Sequence, residues 1–209
     1  MELFQQARTN MVTNQLMTHK VNDPQVLEAM ECVPRHQFVE GKWQDVAYVD
    51  REMPLGDGRV LLKPEVFAYM VQAAQLKKTD RVLDVACGTG YSTAVLAQLC
   101  DEVIGVESVV SLCTKAKNLL SHFKVNNAFI FNDNLFAGNA KNAPYNVILV
   151  NGALEQPHRN LLDQLCNGGR LITPIVTQDN LCRVVMYEKV GNNLSSLQIS
   201  DGYASKITN

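Results

Sequence analysis

Asp84, Gly88, Thr89 and Gly90 stand in one stretch, VLDVACGTGY, where an apolar run ending in a carboxylate passes through a G-x-G turn into a helical pattern. The glycines let the backbone turn tightly and approach a ligand at a helix N-terminus, where N–H groups are unpaired. A dinucleotide fingerprint calls for a third glycine three residues after the second, and Thr93 stands there instead. A carboxylate just before the turn is ill placed beside a pyrophosphate but suits a cationic ligand. S-adenosylmethionine, with its sulfonium and α-ammonium, has that charge, so these residues favour it as cofactor over NAD.

Two further positions extend the chemistry. Glu107 ends the apolar run EVIGVE, seventeen residues after Gly90. Right-handed strand–helix–strand connectivity brings adjacent strand ends to one sheet edge, where a carboxylate accepts both hydroxyls of a ribose and repels a 2′-phosphate. Asn132, Asp133 and Asn134 follow the next apolar run, AFIF. A polar side chain there reaches an adenine amino group, with neighbouring backbone N–H groups for the ring nitrogens.

These positions require an alternation of strands and helices to bring them together, and the sequence from Arg81 onward supplies it. RVLDVA, EVIGVE, AFIF and YNVILV read as buried strands, with helices YSTAVLAQL and VVSLCTKAKNLLSHF between the first three. HRNLLDQL reads as a helix closed by Asn167-Gly168-Gly169, and GRLITPIV and LCRVVMYEKV as strands without an intervening helix, hence an antiparallel edge. The expected class is α/β, a Rossmann-like parallel sheet with helices on both faces. Residues 1 to about 78 differ: a helical pattern through Leu16, a helix over Gln25–Cys32 opened by Asp23-Pro24, a looped segment over 48–63 with tight turns, and a helix restarted by Pro64. The chain reads as a single domain over 1–209, with an N-terminal helical and loop region to 78 and a cofactor-binding core over 79–209.

The 209 residues suffice for one sizeable core, and the net charge of -2 argues against a general nucleic-acid or membrane-surface binder. The first residues, MELFQQARTN, lack a basic leader and an apolar signal core, and no window approaches the ~18 apolar residues of a membrane span. Six scattered cysteines without C-x-x-C spacing or a nearby histidine offer no metal site and point to a reduced, cytoplasmic setting.

VLDVACGTGYSTAVLA followed by VIGVES resembles the first two motifs of class I methyltransferases. The segments NMVTNQL, DPQVLEAMECVPRHQFV, AYVDREMPLGDG, PYNVILVNGA and NGGRLITPI resemble the protein-L-isoaspartate O-methyltransferase family over roughly residues 8–190. The resemblance implies a seven-stranded mixed sheet flanked by helices with a small N-terminal helical addition. It also implies that Gly88, Thr89 and Gly90 line the methionine end of the cofactor, Glu107 and Ser108 meet the ribose, and Asp133 and Asn134 meet the adenine. Asn134 replaces the family's usual glycine, and Asn146 stands at a common aspartate position, where it orders neighbouring backbone. The acceptor loop departs from the family's G-x-G-Q-T-I-S-Q-P. Here it reads Gly56-Asp57-Gly58-Arg59-Val60-Leu61-Leu62-Lys63-Pro64, so Val60 and Leu62 replace both hydroxyl residues and Arg59 and Lys63 replace neutral amides.

Three functions stay open at this point. One is carboxyl O-methylation of a damaged, isoaspartyl protein (protein repair), expected to be weak on a standard peptide because the loop hydroxyls are gone. Another is methylation of a different anionic small molecule or protein, with Arg59 and Lys63 holding the anion. The third is a non-catalytic cofactor-binding module. The two basic residues read equally as solvated side chains or as local ion pairs with Asp57 or Glu65. A carboxylate acceptor is already ionised at pH 7 and needs no general base. Of the four histidines, His19, His36 and His122 read as structural or exposed, while His158 opens a helix near where an acceptor would lie.

Overall fold

The computed structural model describes residues 2–177 and 181–209. The chain opens with helix α1, Glu2–Asn10, which widens into a π-turn over Met11–Leu16 and closes at Lys20 in the left-handed region. Helix α2 spans Pro24–Cys32; Asp23 caps it by accepting from the Gln25 and Val26 N–H groups, and Pro24 occupies its first turn, where no N–H is needed. The looped 48–63 segment contains a short antiparallel hairpin, β1 (Met53–Gly56) with β2 (Arg59–Leu61). Its turn runs through Gly56, Asp57 and Gly58, all at positive φ. Helix α3 follows over Pro64–Ala74.

Strand and helix then alternate: β3 Arg81–Val85, α4 Tyr91–Ala97, β4 Glu102–Glu107, α5 Val110–His122, β5 Ala128–Asn132, β6 Tyr145–Val150, α6 Arg159–Asp163 and β7 Leu165–Val176. The last strands are β8 Cys182–Val190 and β9 Asn193–Asp201. The seven strands lie in the order β5-β4-β3-β6-β7-β8-β9. The first five are mutually parallel, and β7 with β8 and β8 with β9 pair antiparallel, as the missing helices required. Side chains of β3 alternate between two cores: Val82 packs with α3, α4 and α5 on one face, while Leu83 and Val85 pack with α6 on the other.

Two local expectations are corrected. The helix before the fifth parallel strand is short, Arg159–Asp163, and β7 has already begun at Leu165, paired with Tyr145. Gly168 and Gly169 lie within that strand as an irregularity rather than ending a helix. A Cβ at Gly169 would stand 2.9 Å from the Cys166 carbonyl and 3.0 Å from that of Tyr145, so the strand needs glycine there. Strand β9 lies at the sheet edge and is mostly exposed, so its residues show no buried alternation. Among the described residues no helix is long and apolar enough to cross a membrane.

Candidate cofactor and acceptor site

Chain progression reverses direction at β3, whose neighbours are β4 on one side and β6 on the other. Open α/β sheets hold their ligands at the carboxyl ends of strands at such a switch point. Gly88 and Gly90 take φ of 55 and 89°, and Ala86 also sits at φ 56°, which turns the chain sharply from β3 into α4. Leu55 of the hairpin packs onto this turn so closely that a Cβ on Gly88 would stand 2.5 Å from its Cδ1. A cleft of about 370 Å³ opens beside it, lined among others by Phe38, Leu55, Thr89 and Leu119.

Asp84 has no exposed surface. Its Oδ2 accepts from the hydroxyls of Ser92 (2.7 Å) and Thr93 (2.6 Å), and its Oδ1 from Asn151 Nδ2 at 2.6 Å. The sequence placed Asp84 against a cationic ligand; the structure instead gives its oxygens to the first turn of α4 and to the end of β6. It orders the glycine turn from beneath. Burial pushes its carboxyl up to about 6, opposed by those three donors. Burial likewise raises the neighbouring Cys87 thiol, so no thiolate stands beside the turn. All six cysteines are free.

Glu107 is fully buried at the end of β4. Its Oε2 accepts from the Gly88 N–H at 3.0 Å, and its Oε1 from the Val109 N–H at 3.0 Å, so one carboxylate ties the glycine turn to the start of α5. Oε1 also accepts from Arg59 Nε at 3.0 Å, while Arg59 Nη2 donates to Ser108 Oγ at 2.8 Å. The partner of Arg59 is therefore neither Asp57 nor Glu65 but the carboxylate expected to meet the ribose. Lys63 lies 3.7 Å from Asp50, both half-exposed. Asp57 is an exposed turn residue at φ 49°.

Thr89 Oγ1 donates to the Phe38 carbonyl at 2.6 Å, anchoring the N-terminal region on the turn. Beyond β5, Asn132 Nδ2 donates to the carbonyls of Glu107 (2.9 Å) and Ser108 (3.0 Å), which holds the next strand end against the first. Asp133 and Asn134 are exposed beside it. The Asn134 N–H donates to Asp133 Oδ1 at 2.8 Å, and Asn134 Oδ1 accepts from the Phe136 and Ala137 N–H groups. Asn146 accepts the Arg81 N–H at 2.9 Å, the backbone-ordering role expected of it.

Leu62 is buried, and its carbonyl accepts from Arg35 Nη2 at 2.7 Å. Arg35 was not singled out in the sequence. It is wholly buried, donates from Nε to the Ala47 carbonyl at 2.8 Å, and lies 5.0 Å over the Tyr91 ring. It thereby ties the segment after β2 to α4. An arginine flanked by Pro34 and His36 gives no periodic signal of such burial. His158 stacks on Phe136 at 4.0 Å, and His36 stacks on Phe4 at 4.1 Å.

The family model for protein-L-isoaspartate(D-aspartate) O-methyltransferase matches residues 6–202. The protein-L-isoaspartate O-methyltransferase 2 of Shewanella sediminis is 36% identical over 199 residues, 95% of this chain and 82% of its own length. The protein-L-isoaspartate O-methyltransferase of Opitutus terrae is 39% identical over 176 residues, 82% of this chain and 76% of its own. Among solved structures, a protein-L-isoaspartate O-methyltransferase superposes with a TM-score of 0.85 at 22% identity, covering 97% of this chain and 66% of that longer chain. Another, from Plasmodium falciparum in complex with S-adenosyl-L-homocysteine, superposes with a TM-score of 0.80 at 22% identity, covering 96% and 98%. These two likenesses agree on the fold, and the sequence relatives and family model carry the relationship: the chain belongs to the protein-L-isoaspartate O-methyltransferase family of methyltransferases.

Proposed function

We propose that this protein transfers the methyl group of S-adenosylmethionine to the carboxylate of an isoaspartyl residue in damaged protein. The observation that carries the reading is Glu107, a buried carboxylate at the end of β4 bonded to the Gly88 N–H, next to Asp133 and Asn134 at the end of β5. The donor set fits an adenosine. Glu107 and Ser108 face the ribose, the Asp133–Asn134 turn the adenine, and the Gly88–Thr89–Gly90 turn the methionine end, with Asp84 and Asn151 holding that turn in shape. The 79–209 core supplies this seat, and the 1–78 region supplies the acceptor loop. Family membership favours protein repair over the alternative anionic acceptors and over a non-catalytic module.

When bound, S-adenosylmethionine supplies a methyl group on a good leaving group, so the chain's task is positioning and exclusion of water. An acceptor carboxylate with an ordinary pKa near 4 is ionised at pH 7 and asks for no general base. Arg59 and Lys63 are the loop's cations for that anion, at positions where family members carry neutral amides, and Val60 and Leu62 stand at the hydroxyl positions. Calorimetry tests the cofactor assignment: S-adenosylhomocysteine should bind and NADH should give no measurable heat. Equal or tighter binding of NADH would contradict it.

A further inference from the structure

Glu107 is shared between two claims. A carboxylate offers about four lone-pair positions. Three are taken, by the N–H groups of Gly88 and Val109 and by Arg59 Nε. A ribose diol brings two donors. The two backbone donors are fixed by the glycine turn and by the start of α5, so the contact that gives way is Arg59. Its other anchor, Ser108 Oγ, lies in the same ribose seat. With Arg59 3% exposed and Glu107 not exposed at all, the pair closes the seat as it stands.

Arg59 is also the first residue of β2, directly after an exposed turn. Strand β2 has three residues, pairs only with β1 among the described residues, through an irregular register, and is joined to it by a turn with three consecutive residues at positive φ. Met53, Leu55 and Leu61 anchor the hairpin in the core, while its turn, Gly56 to Gly58, is exposed. Once displaced from Glu107, the guanidinium lies in the loop before α3, on the acceptor side, and beside a cationic sulfonium it needs an anion.

We propose that Arg59 is a switch between two carboxylates: it guards Glu107 in the cofactor-free chain, and the bound ribose releases it to hold the acceptor carboxylate. This rests on the function proposed above. It makes Arg59 a specificity residue for anionic acceptors and makes binding ordered, cofactor first.

The test is a calorimetric titration of S-adenosylhomocysteine into the wild type and Arg59→Gln, with isoaspartyl-peptide kinetics on both. Arg59→Gln should bind S-adenosylhomocysteine at least roughly tenfold more tightly while the KM for the peptide rises by at least roughly tenfold, opposite shifts that a merely structural role would not produce. Equal or weaker binding by Arg59→Gln overturns the switch while leaving the cofactor reading intact. Absence of binding to both proteins overturns that reading and the switch with it. Should Arg59→Gln fail to fold, the wild type decides by NMR. The Arg59 Nε–H resonance should be protected from exchange in the free protein and lose protection on adding S-adenosylhomocysteine; retained protection at saturation overturns the proposal.

Discussion

At the scale of single residues, the two buried carboxylates have different tasks, and each gives a measurable consequence. Glu107 is the counter-ion of Arg59 and the proposed seat of the ribose. Glu107→Ala should weaken S-adenosylhomocysteine binding by about 1.5–3 kcal/mol, the range for a charged hydrogen bond. It should also destabilise the fold by about 3–5 kcal/mol in urea unfolding, because Arg59 is left buried without its partner. Glu107→Gln should lose less on both counts, since an acceptor oxygen remains; an alanine variant as stable as wild type would show that the pair carries no weight. Asp84 orders the glycine turn, and its contribution to stability depends on pH. Its folded pKa is raised from 3.8 to about 6 by burial, so the unfolded chain gives up this proton first as pH rises. The stabilising contribution is fully present below pH 3.8 and is lost as pH passes 6, a change of about 3 kcal/mol at ~1.4 kcal/mol per pKa unit. The stability of the wild type relative to Asp84→Asn should therefore fall by most of that amount between pH 4 and 7. A difference that stays constant with pH would place the proton elsewhere.

At the scale of elements, the glycine turn is the piece on which the site depends. Gly88→Ala forces a side chain into the left-handed region and against Leu55, a buried residue of the hairpin. The change should cost about 1–2 kcal/mol from backbone conformation alone, and S-adenosylhomocysteine binding should weaken as the Gly88 N–H moves off Glu107. Unchanged binding would show the turn to be a spectator. The parallel strands β3, β4 and β6 were legible because both faces are buried, which writes a continuous apolar run ending at the functional edge. The hairpin was not, since its strands are only four and three residues long and interrupted by proline and glycine. Gly168-Gly169 looks the same in a sequence whether it ends a helix or bends a strand. Only the pairing of Leu165 with Tyr145 decides between them. Strand β9, pairing only with β8, lacks the buried alternation that marks a strand. The candidate cofactor residues were legible for a related reason. Strand ends at one edge are set by connectivity, which brings Glu107 beside the turn after Asn132, while the proposed adenine role of Asp133 and Asn134 comes from the family resemblance. The Arg59–Glu107 pair spans 48 residues between two separate elements, and no periodicity records such a contact.

At the scale of the whole molecule, the sheet core and the N-terminal region meet across the glycine turn. Thr89 is tied to Phe38, Arg35 to Leu62 and Tyr91, and Arg59 to Glu107, so the proposed cofactor seat and the proposed acceptor loop are physically connected. The sequence read the cofactor half as kept and the acceptor half as rewritten, and that division sets the most direct test of the account. Labelled S-adenosylmethionine is supplied with an isoaspartyl peptide and its aspartyl counterpart, to the wild type and to Val60→Thr/Leu62→Ser. The account predicts a base-labile methyl ester on the isoaspartyl peptide alone, formed slowly by the wild type. The double variant should form it roughly 10- to 150-fold faster, if the restored hydroxyls contribute one charged hydrogen bond in the transition state, at a stability cost of about 2–4 kcal/mol from the space Leu62 vacates. No label in either protein while S-adenosylhomocysteine still binds, or a label stable to base, would contradict carboxyl methylation by this chain.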